Sequence, residues 1–322
     1  MPSISNEILQ AKRDVESEIL KRPGVTGIDV GIKLVGGERT DTVAIRVHVR
    51  HKRDVPEAQR IPAQIQGFPT DVIEAEYFAA GMCTDKNKDK EPYVTLWGGI
   101  SGGPADLIDG LYWVGTLGLP MKDAGGKYYL LTNAHVLNPS NGPQQNYLVI
   151  QPAAPDGGEP HFNSAGHVAK VILGGTPTVD AGIVLLAGNR TQPLIVDIGA
   201  VMGQGVAQLN QAVRKRGRTT RLTNGVVDGL DASITVDYGN NYFVSFTGQI
   251  SITPVAAGEC FATKGDSGSA VVNSSNQVLG LYFAEVPTTG RGVANPISDV
   301  LTALNSAGFS VSIYTSTPQE ES

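Results

Sequence analysis

Two cysteines, Cys83 and Cys260, are all that 322 residues contain. A secreted protein held together by disulfides normally carries several pairs, so this sparse count points to a reducing compartment. Long apolar runs are missing as well. No stretch of eighteen apolar residues occurs, so no helix is expected to span a membrane. Residues 1–20 are interrupted by Glu7, Lys12, Arg13, Asp14, Glu16 and Glu18, which breaks up any leader-like apolar core. The expected location is the cytoplasm. Charge is scarce too, at 17% of residues, and the net balance is −6. An acidic chain offers no field to hold a nucleic-acid backbone. No internal repeat and no zinc-ligand pattern is found, so neither a metal nor another cofactor is expected.

Turn chemistry, by contrast, is abundant. With 39 Gly, 19 Pro and a 41% hydrophobic fraction, the chain suits many short strands around sizeable cores, over two or three domains. Residues 1–80 read as a small α+β domain. A helix carries Ile8, Leu9, Val15, Ile19 and Leu20 near helical spacing and stops at Pro23-Gly24. Strands Val25–Leu34 and Thr42–Val49 flank the turn Gly36-Gly37, a short helix is expected near Pro56–Ile65, and a strand near Asp71–Glu76. In the second strand Val43, Ile45, Val47 and Val49 share one face. Arg46, His48 and Arg50 share the other, which places His48, and His51 at the strand's exit, on the surface. Residues 81–95 form a linker whose charge run, Asp85 to Pro92, is read as solvated.

Beyond residue 95 the character changes to short alternating segments parted by Gly, Pro, Asn and Asp, the cadence of an all-β sandwich or barrel. Among them are Leu111–Leu117, Lys127–Thr132, Leu222–Leu230, Ser233–Tyr238 and Gln277–Ala284. A short amphipathic helix is expected over 296–306.

Three local patterns in this region carry chemistry. Leu130-Leu131-Thr132-Asn133-Ala134-His135 is an apolar strand running into a histidine; Thr178-Val179-Asp180-Ala181-Gly182-Ile183 sets an aspartate at the mouth of a buried strand. Lys264-Gly265-Asp266-Ser267-Gly268-Ser269 puts a serine in a glycine-rich turn. A serine hydroxyl needs an adjacent base to become a nucleophile. Neutral histidine suits that task and can return the proton to a leaving amine. A buried carboxylate selects the imidazole tautomer and stabilises the imidazolium. Glycines beside Ser267 would let the N–H groups of Gly265 and Ser267 face a developing oxyanion. Asp156 and Asp197 compete with Asp180 for the carboxylate role; Asp156 lies in the turn Pro155-Asp156-Gly157-Gly158, and Asp180 is preferred. His161 and His167 lack ligand spacing.

The order His135, Asp180, Ser267 with Gly-Asp-Ser-Gly around the serine resembles the chymotrypsin-like serine proteases over residues 95–310. More narrowly, Gly98-Gly99-Ile100-Ser101, Gly115-Thr116-Leu117-Gly118, Asn133–Leu137 and Arg216-Gly217-Arg218-Thr219-Thr220 resemble the intracellular NARROW LEAF 1-like trypsin-like peptidases and their bacterial relatives. The resemblance implies a mainly β fold, a chymotrypsin-like double six-stranded β-barrel behind the N-terminal domain. The first barrel would cover about 96–190 and the second about 200–295, within a protease domain of 96–322. It implies a serine endopeptidase working on protein or peptide substrates, with no membrane or nucleic-acid partner and with a homo-oligomer as its assembly. It also implies a specificity pocket walled by Phe261, Ala262, Thr263 and Lys264 and by Leu281, Tyr282 and Phe283. No acid is found at the expected base of that pocket, so an apolar residue before the scissile bond is the expected preference.

The digestive members of this superfamily are activated by cleavage before an Ile-Val-Gly-Gly-like start, whose new ammonium pairs with the aspartate preceding the serine. Here that aspartate would be Asp266, and Gly98–Gly103 follows Leu96-Trp97 with no basic cleavage residue. Asp266 must therefore be solvated or satisfied in another way. The expectation is that no zymogen cleavage occurs and that assembly, substrate or the N-terminal domain orders the loop. The cluster Arg214-Lys215-Arg216-Gly217-Arg218, with Arg221, is read as solvated charge at a strand edge or as a subunit contact. The competing function is a catalytically silent interaction or scaffold protein on the same fold; an ester hydrolase is a third.

Overall fold

The computed structural model describes residues 4–53, 55–79, 88–138, 146–256 and 258–316. The N-terminal segment opens on helix α1 (Asn6–Ile19), whose N-cap Ser5 accepts a hydrogen bond from the Ile8 N–H. Ile8, Ala11 and Ile19 of α1 pack on Ile28 and Val30 of β1 (Val25–Val35) and on Ile45 and Val47 of β2 (Glu38–Val49). The short helix expected near Pro56–Ile65 is instead a single 3₁₀ turn, Glu57–Gln59, followed by β3 (Gln64–Ile65). Pro62 explains this, since it cannot donate within a helix and disfavours a helical Ile61 before it. β4 (Phe68–Glu74) runs parallel to β2, and β5 (Tyr77–Phe78) ends the segment.

The first barrel contains β6 (Leu96–Gly98), β7 (Ile100–Pro104), β8 (Gly115–Leu117), β9 (Leu119–Asp123), β10 (Tyr128–Thr132), β11 (Leu148–Ile150), β12 (Ser164–Gly174) and β13 (Val179–Leu186). A one-turn helix, α2 (Ala134–Leu137), follows β10. β8 and β9 are one path broken at Gly118, so β8/β9, β10, β13, β12, β11 and β7 form a six-membered ring. Strands β14 (Thr191–Ile195) and β15 (Gly199–Ala200) lead to the second barrel, β14 pairing with β6.

The second barrel is built from β16 (Ala212–Gly217), β17 (Arg221–Asp237), β18 (Phe243–Pro254), β19 (Ala270–Asn273), β20 (Val278–Val286) and β21 (Arg291–Pro296). Their order, β16-β19-β20-β21-β18-β17, closes through the β16–β17 pairing. Helix α3 (Ile297–Ser306) and β22 (Val311–Ile313) return the chain to the first barrel, where β22 pairs with β9. The fold is thus mainly β with two six-stranded rings, as expected.

Two differences matter. Leu222–Leu230 and Ser233–Tyr238 are one 17-residue strand, β17, that passes through irregular register around Asp231 at a positive φ of 53°. The extra length of β17 receives β1, so the strands of the N-terminal segment continue the sheet of the second barrel. The polar face of β2 therefore meets protein, not water. Arg46 and His48 are fully buried, Arg46 between Asp29 and Asp228 and His48 between Asp29 and the Tyr77 hydroxyl. This corrects the surface placement of His48; His51 is exposed as expected.

The basic cluster is corrected in the same way. Lys215, Arg216 and Arg218 are buried, and each faces an acid: Asp266, Asp89 and Asp156 respectively. β16 lies between β17 and β19 inside the ring, so its cations stay charged only by gaining a partner. Asp89 is consequently buried, unlike the solvated reading of its charge run; residues 80–87 lie outside the described residues. Cys260 is disulfide-bonded, and Cys83 lies outside the described residues.

Candidate active site

The two rings meet where α2 and the loop between β18 and β19 approach each other. Asn133 caps α2, which sets His135 in its first turn, immediately after the apolar strand β10. β10 pairs with β13 through Thr132 and Gly182, and this register brings the start of β13 beneath His135. The His135 Nδ1–H donates to Asp180 Oδ2 at 2.5 Å, and the His135 backbone N–H donates to Asp180 Oδ1 at 3.2 Å. A carboxyl oxygen on Nδ1 favours the imidazole tautomer with its proton there.

Asp180 is fully buried and held by several partners. The Tyr238 hydroxyl donates to Oδ2 at 2.8 Å, the Asn133 side-chain amide donates to the Asp180 carbonyl, and the Asp180 N–H donates to Asn295. The Tyr238 ring also meets the His135 ring edge-on at 5.6 Å between centroids. Burial first, and then Asp180, pushes the Tyr238 phenol well above its ordinary range, so it remains a donor. Sequence reasoning missed Tyr238. It follows the last residue of β17, over a hundred residues from His135, and no spacing rule links the two.

Ser267 is buried to 4% exposure in a tight turn. Gly265 and Gly268 take φ of +94° and +96°, and a Cβ at Gly268 would lie 2.2 Å from the Thr116 carbonyl, so only glycine serves there. Thr116 ties the loop to the first barrel, its N–H donating to the Ser267 carbonyl and its hydroxyl to the Gly265 carbonyl. Gly115 is packed between Val136 of α2 and the Ser267 carbonyl, which joins the histidine-bearing turn to the serine-bearing one. Among the described residues, no acceptor in the chain meets the N–H of Gly265 or of Ser267.

Asp266 is buried and satisfied by its own barrel. It accepts from Lys215 Nζ (3.2 Å), the N–H groups of Thr219, Thr220 and Thr263, and the Thr220 hydroxyl. Of the two expectations for Asp266, solvated or satisfied in another way, the second holds, and Lys215 supplies the cation. Burial lowers the pKa of Lys215, and Asp266 opposes that shift.

The apolar residues expected to wall a specificity pocket fall in three buried clusters. Phe261, Ala262 and Tyr282 share one core, with the Phe261 and Tyr282 rings 6.4 Å apart. Leu281 belongs to the core between α3 and the first barrel, Phe283 to the core around Phe246, and Lys264 is exposed. Alternation along β20 turns Tyr282 away from the face of Leu281, and the register irregularity between Tyr282 and Ala284 falls at Phe283. Glu285, passed over in the sequence, lies fully buried two residues beyond Phe283, with the Tyr282 hydroxyl 3.5 Å from its Oε2. The rival aspartates are placed elsewhere: Asp156 holds Arg218 and Ser101, and Asp197, 45% exposed, faces Arg216. His161 and His167 are exposed.

The chain is similar in part to known proteins. A family model described as Peptidase S7, Flavivirus NS3 serine protease, matches residues 256–295, the stretch that includes Ser267. Streptogrisin-D of Streptomyces griseus is 32% identical over 171 residues, which is 46% of this chain and 41% of that protein. The fold is that of a trypsin-like serine protease. The chain thus spans about two fifths of the length of the curated relative it matches. Solved structures similar to this chain include Thermobifida fusca Protease A, at TM-score 0.47 and 20% identity over 68% of this chain and all of that one. Nocardiopsis Protease gives TM-score 0.48 and 18% identity over 68% of this chain and 98% of that one.

Proposed function

We propose that the chain is a serine endopeptidase in which Ser267 is the nucleophile, His135 the general base and Asp180 the carboxylate that orients it. The observation that carries this reading is the fully buried Asp180 on His135 Nδ1, facing a glycine-bounded Ser267 loop across Gly115. Ser267 Oγ would attack the peptide carbonyl carbon while its proton passes to His135 Nε2. The negative oxygen so formed would be held by the Gly265 and Ser267 N–H groups, and such a donor is typically worth about 3 kcal/mol in the barrier. Collapse breaks the C–N bond, His135 returns the proton to the amine, and an acyl-Ser267 ester remains. Water then adds with His135 again taking the proton, which releases the acid and restores Ser267.

A fluorophosphonate probe tests this reading directly. It should form an adduct on Ser267, and the Ser267→Ala variant should fold normally, take no label and lose kcat on the order of 10⁶-fold. A folded native protein that takes no label would sink the reading in favour of a scaffold role. The substrate proposed is a peptide with an apolar residue before the scissile bond, because none of Phe261, Ala262, Thr263 and Lys264 is an acid. A preference for Lys or Arg in a peptide panel would overturn that choice and turn attention to Glu285. The same reading makes the enzyme a regulatory protease of the cytoplasm, from its two cysteines. The disulfide at Cys260 counts against that location, since the cytoplasm reduces disulfides. Alkylation in intact cells decides it: a free thiol would support the cytoplasm, and a blocked one would move the protein to an oxidising compartment.

A further inference from the structure

β20 is the strand that passes the nucleophile. One of its edges is taken by β21 along its length, through Tyr282↔Ala294, Ala284↔Val293 and Glu285↔Gly292. Its other edge pairs with β19 and then with the turn after Ser267, where the Gly268 N–H donates to the Tyr282 carbonyl and the Tyr282 N–H to the Ser269 carbonyl. Beyond Tyr282 that second edge leaves the ring and runs on as Phe283-Ala284-Glu285. An extended peptide binds an open edge of this kind as an added strand, with main-chain hydrogen bonds supplying affinity.

That edge is already occupied by the chain itself. Phe78 of β5 pairs antiparallel with Glu285, while the other side of β5 pairs parallel with Val236 and Asp237 of β17. The Ala79 N–H donates to the Asp237 carbonyl at 3.1 Å, so alternation aims the Phe78 N–H and C=O at Glu285. The antiparallel sense means that the chain from Tyr77 to Ala79 advances along β20 toward Phe283, and so toward the nucleophile loop. A peptide approaching Ser267 with its scissile bond ahead would travel in that sense. Tyr77 and Ala79 pack into the same apolar cluster as Phe283 and Tyr238, and Tyr238 is the residue whose hydroxyl holds Asp180.

We propose that Tyr77–Ala79 is an internal occupant of the peptide-binding edge of β20, so that an extended substrate must displace this strand to be cut. The proposal rests on the endopeptidase reading for its consequence, restraint of proteolysis. Its physical content, competition between β5 and a peptide for one edge, is separate. The apparent affinity for an extended peptide is then reduced by the fraction of molecules in which the edge is open. A substrate of one residue needs none of this edge.

Two full-length variants loosen β5: Phe78→Pro removes the donor aimed at Glu285, and Ala79→Pro removes the bond to Asp237. Each should raise kcat/KM for a tetrapeptide anilide by about tenfold. Hydrolysis of an N-acetyl amino-acid nitrophenyl ester should stay within about twofold of the native rate. Equal effects on both substrates, or a fall in tetrapeptide hydrolysis alone, would show β5 to be a fixed wall of the site and overturn the proposal. A measurement that depends on neither proline nor catalysis uses full-length Ser267→Ala and the free tetrapeptide. Amide hydrogen exchange at Phe78 and Ala79 should speed up when the peptide is saturating, and unchanged protection with peptide bound would overturn the proposal. If the ester is not hydrolysed and the probe does not label Ser267, the endopeptidase reading fails while the exchange result still decides this one.

Discussion

Asp266 is fully buried, and five donors from three short stretches of chain satisfy its carboxyl group. Only one of them, Lys215, is a cation, and it sits on β16 at the back of the Ser267 loop. Removing one member of a buried pair is strongly destabilising because the other charge is left without compensation, typically about 3–5 kcal/mol. Lys215→Met should therefore lower the unfolding midpoint and slow fluorophosphonate labelling of Ser267 together. The double variant Lys215→Met/Asp266→Asn should recover stability relative to Lys215→Met alone, since it removes the orphaned charge. Strictly additive losses in that cycle would show that the two groups are not coupled.

At the level of elements, the site depends on backbones in close approach. Gly118 breaks the β8/β9 path where it passes the turn after Ser267, and a Cβ there would fall 1.7 Å from the Gly268 carbonyl oxygen. Backbone on both sides cannot yield as a flexible side chain can, and overpacking of this kind costs about 1–3 kcal/mol or more. Gly118→Ala should destabilise the fold and displace the Ser267 turn, with probe labelling lost before secondary structure is. Gly125→Ala, in an open hairpin turn whose nearest neighbour is the Asp123 side chain, should change neither. Elements also explain what sequence reading could see. The β10–α2 junction and the loop before β19 were legible because each is a local pattern of a few residues. β17 was read as two strands because Asp231, flanked by Gly229-Leu230, reads as a turn; pairing with β1, β16 and β18 carries the strand through it.

Across the whole molecule, a buried charge network joins the N-terminal strands to the second barrel. Asp29 and Asp228 face Arg46; Asp228 also meets Arg39 and Arg291, and Asp29 meets His48. Burial works to raise the Asp29 carboxyl, but Arg46 and His48 outweigh it and hold the group well below the ordinary carboxylate range. Burial lowers the pKa of His48 against the pull of Asp29, and brings Arg291 down to about 10. Both of the groups that titrate in acid weaken the fold as pH falls. An unfolded His48 takes up a proton near its ordinary value of about 6.5 that the folded one resists. The Asp29 contribution is fully present above the ordinary carboxylate value of about 4 and is lost as pH falls below it. The unfolding midpoint should therefore decline in two stages, gently between pH 7.5 and 5.5 and steeply below pH 4. A midpoint that is level from pH 7.5 to 5.5 would remove the share assigned to His48.

The sequence by itself determined the class of the fold and the short motifs around His135, Asp180 and Ser267, because these depend on turn residues, strand periodicity and a few adjacent side chains. The tertiary structure alone decided which charges are buried, that Tyr238 reaches Asp180, that Lys215 answers Asp266, and that β5 lies along β20. Each of these joins residues about fifty to two hundred positions apart through strand register. Register is set by how whole sheets pack, and no local pattern records it.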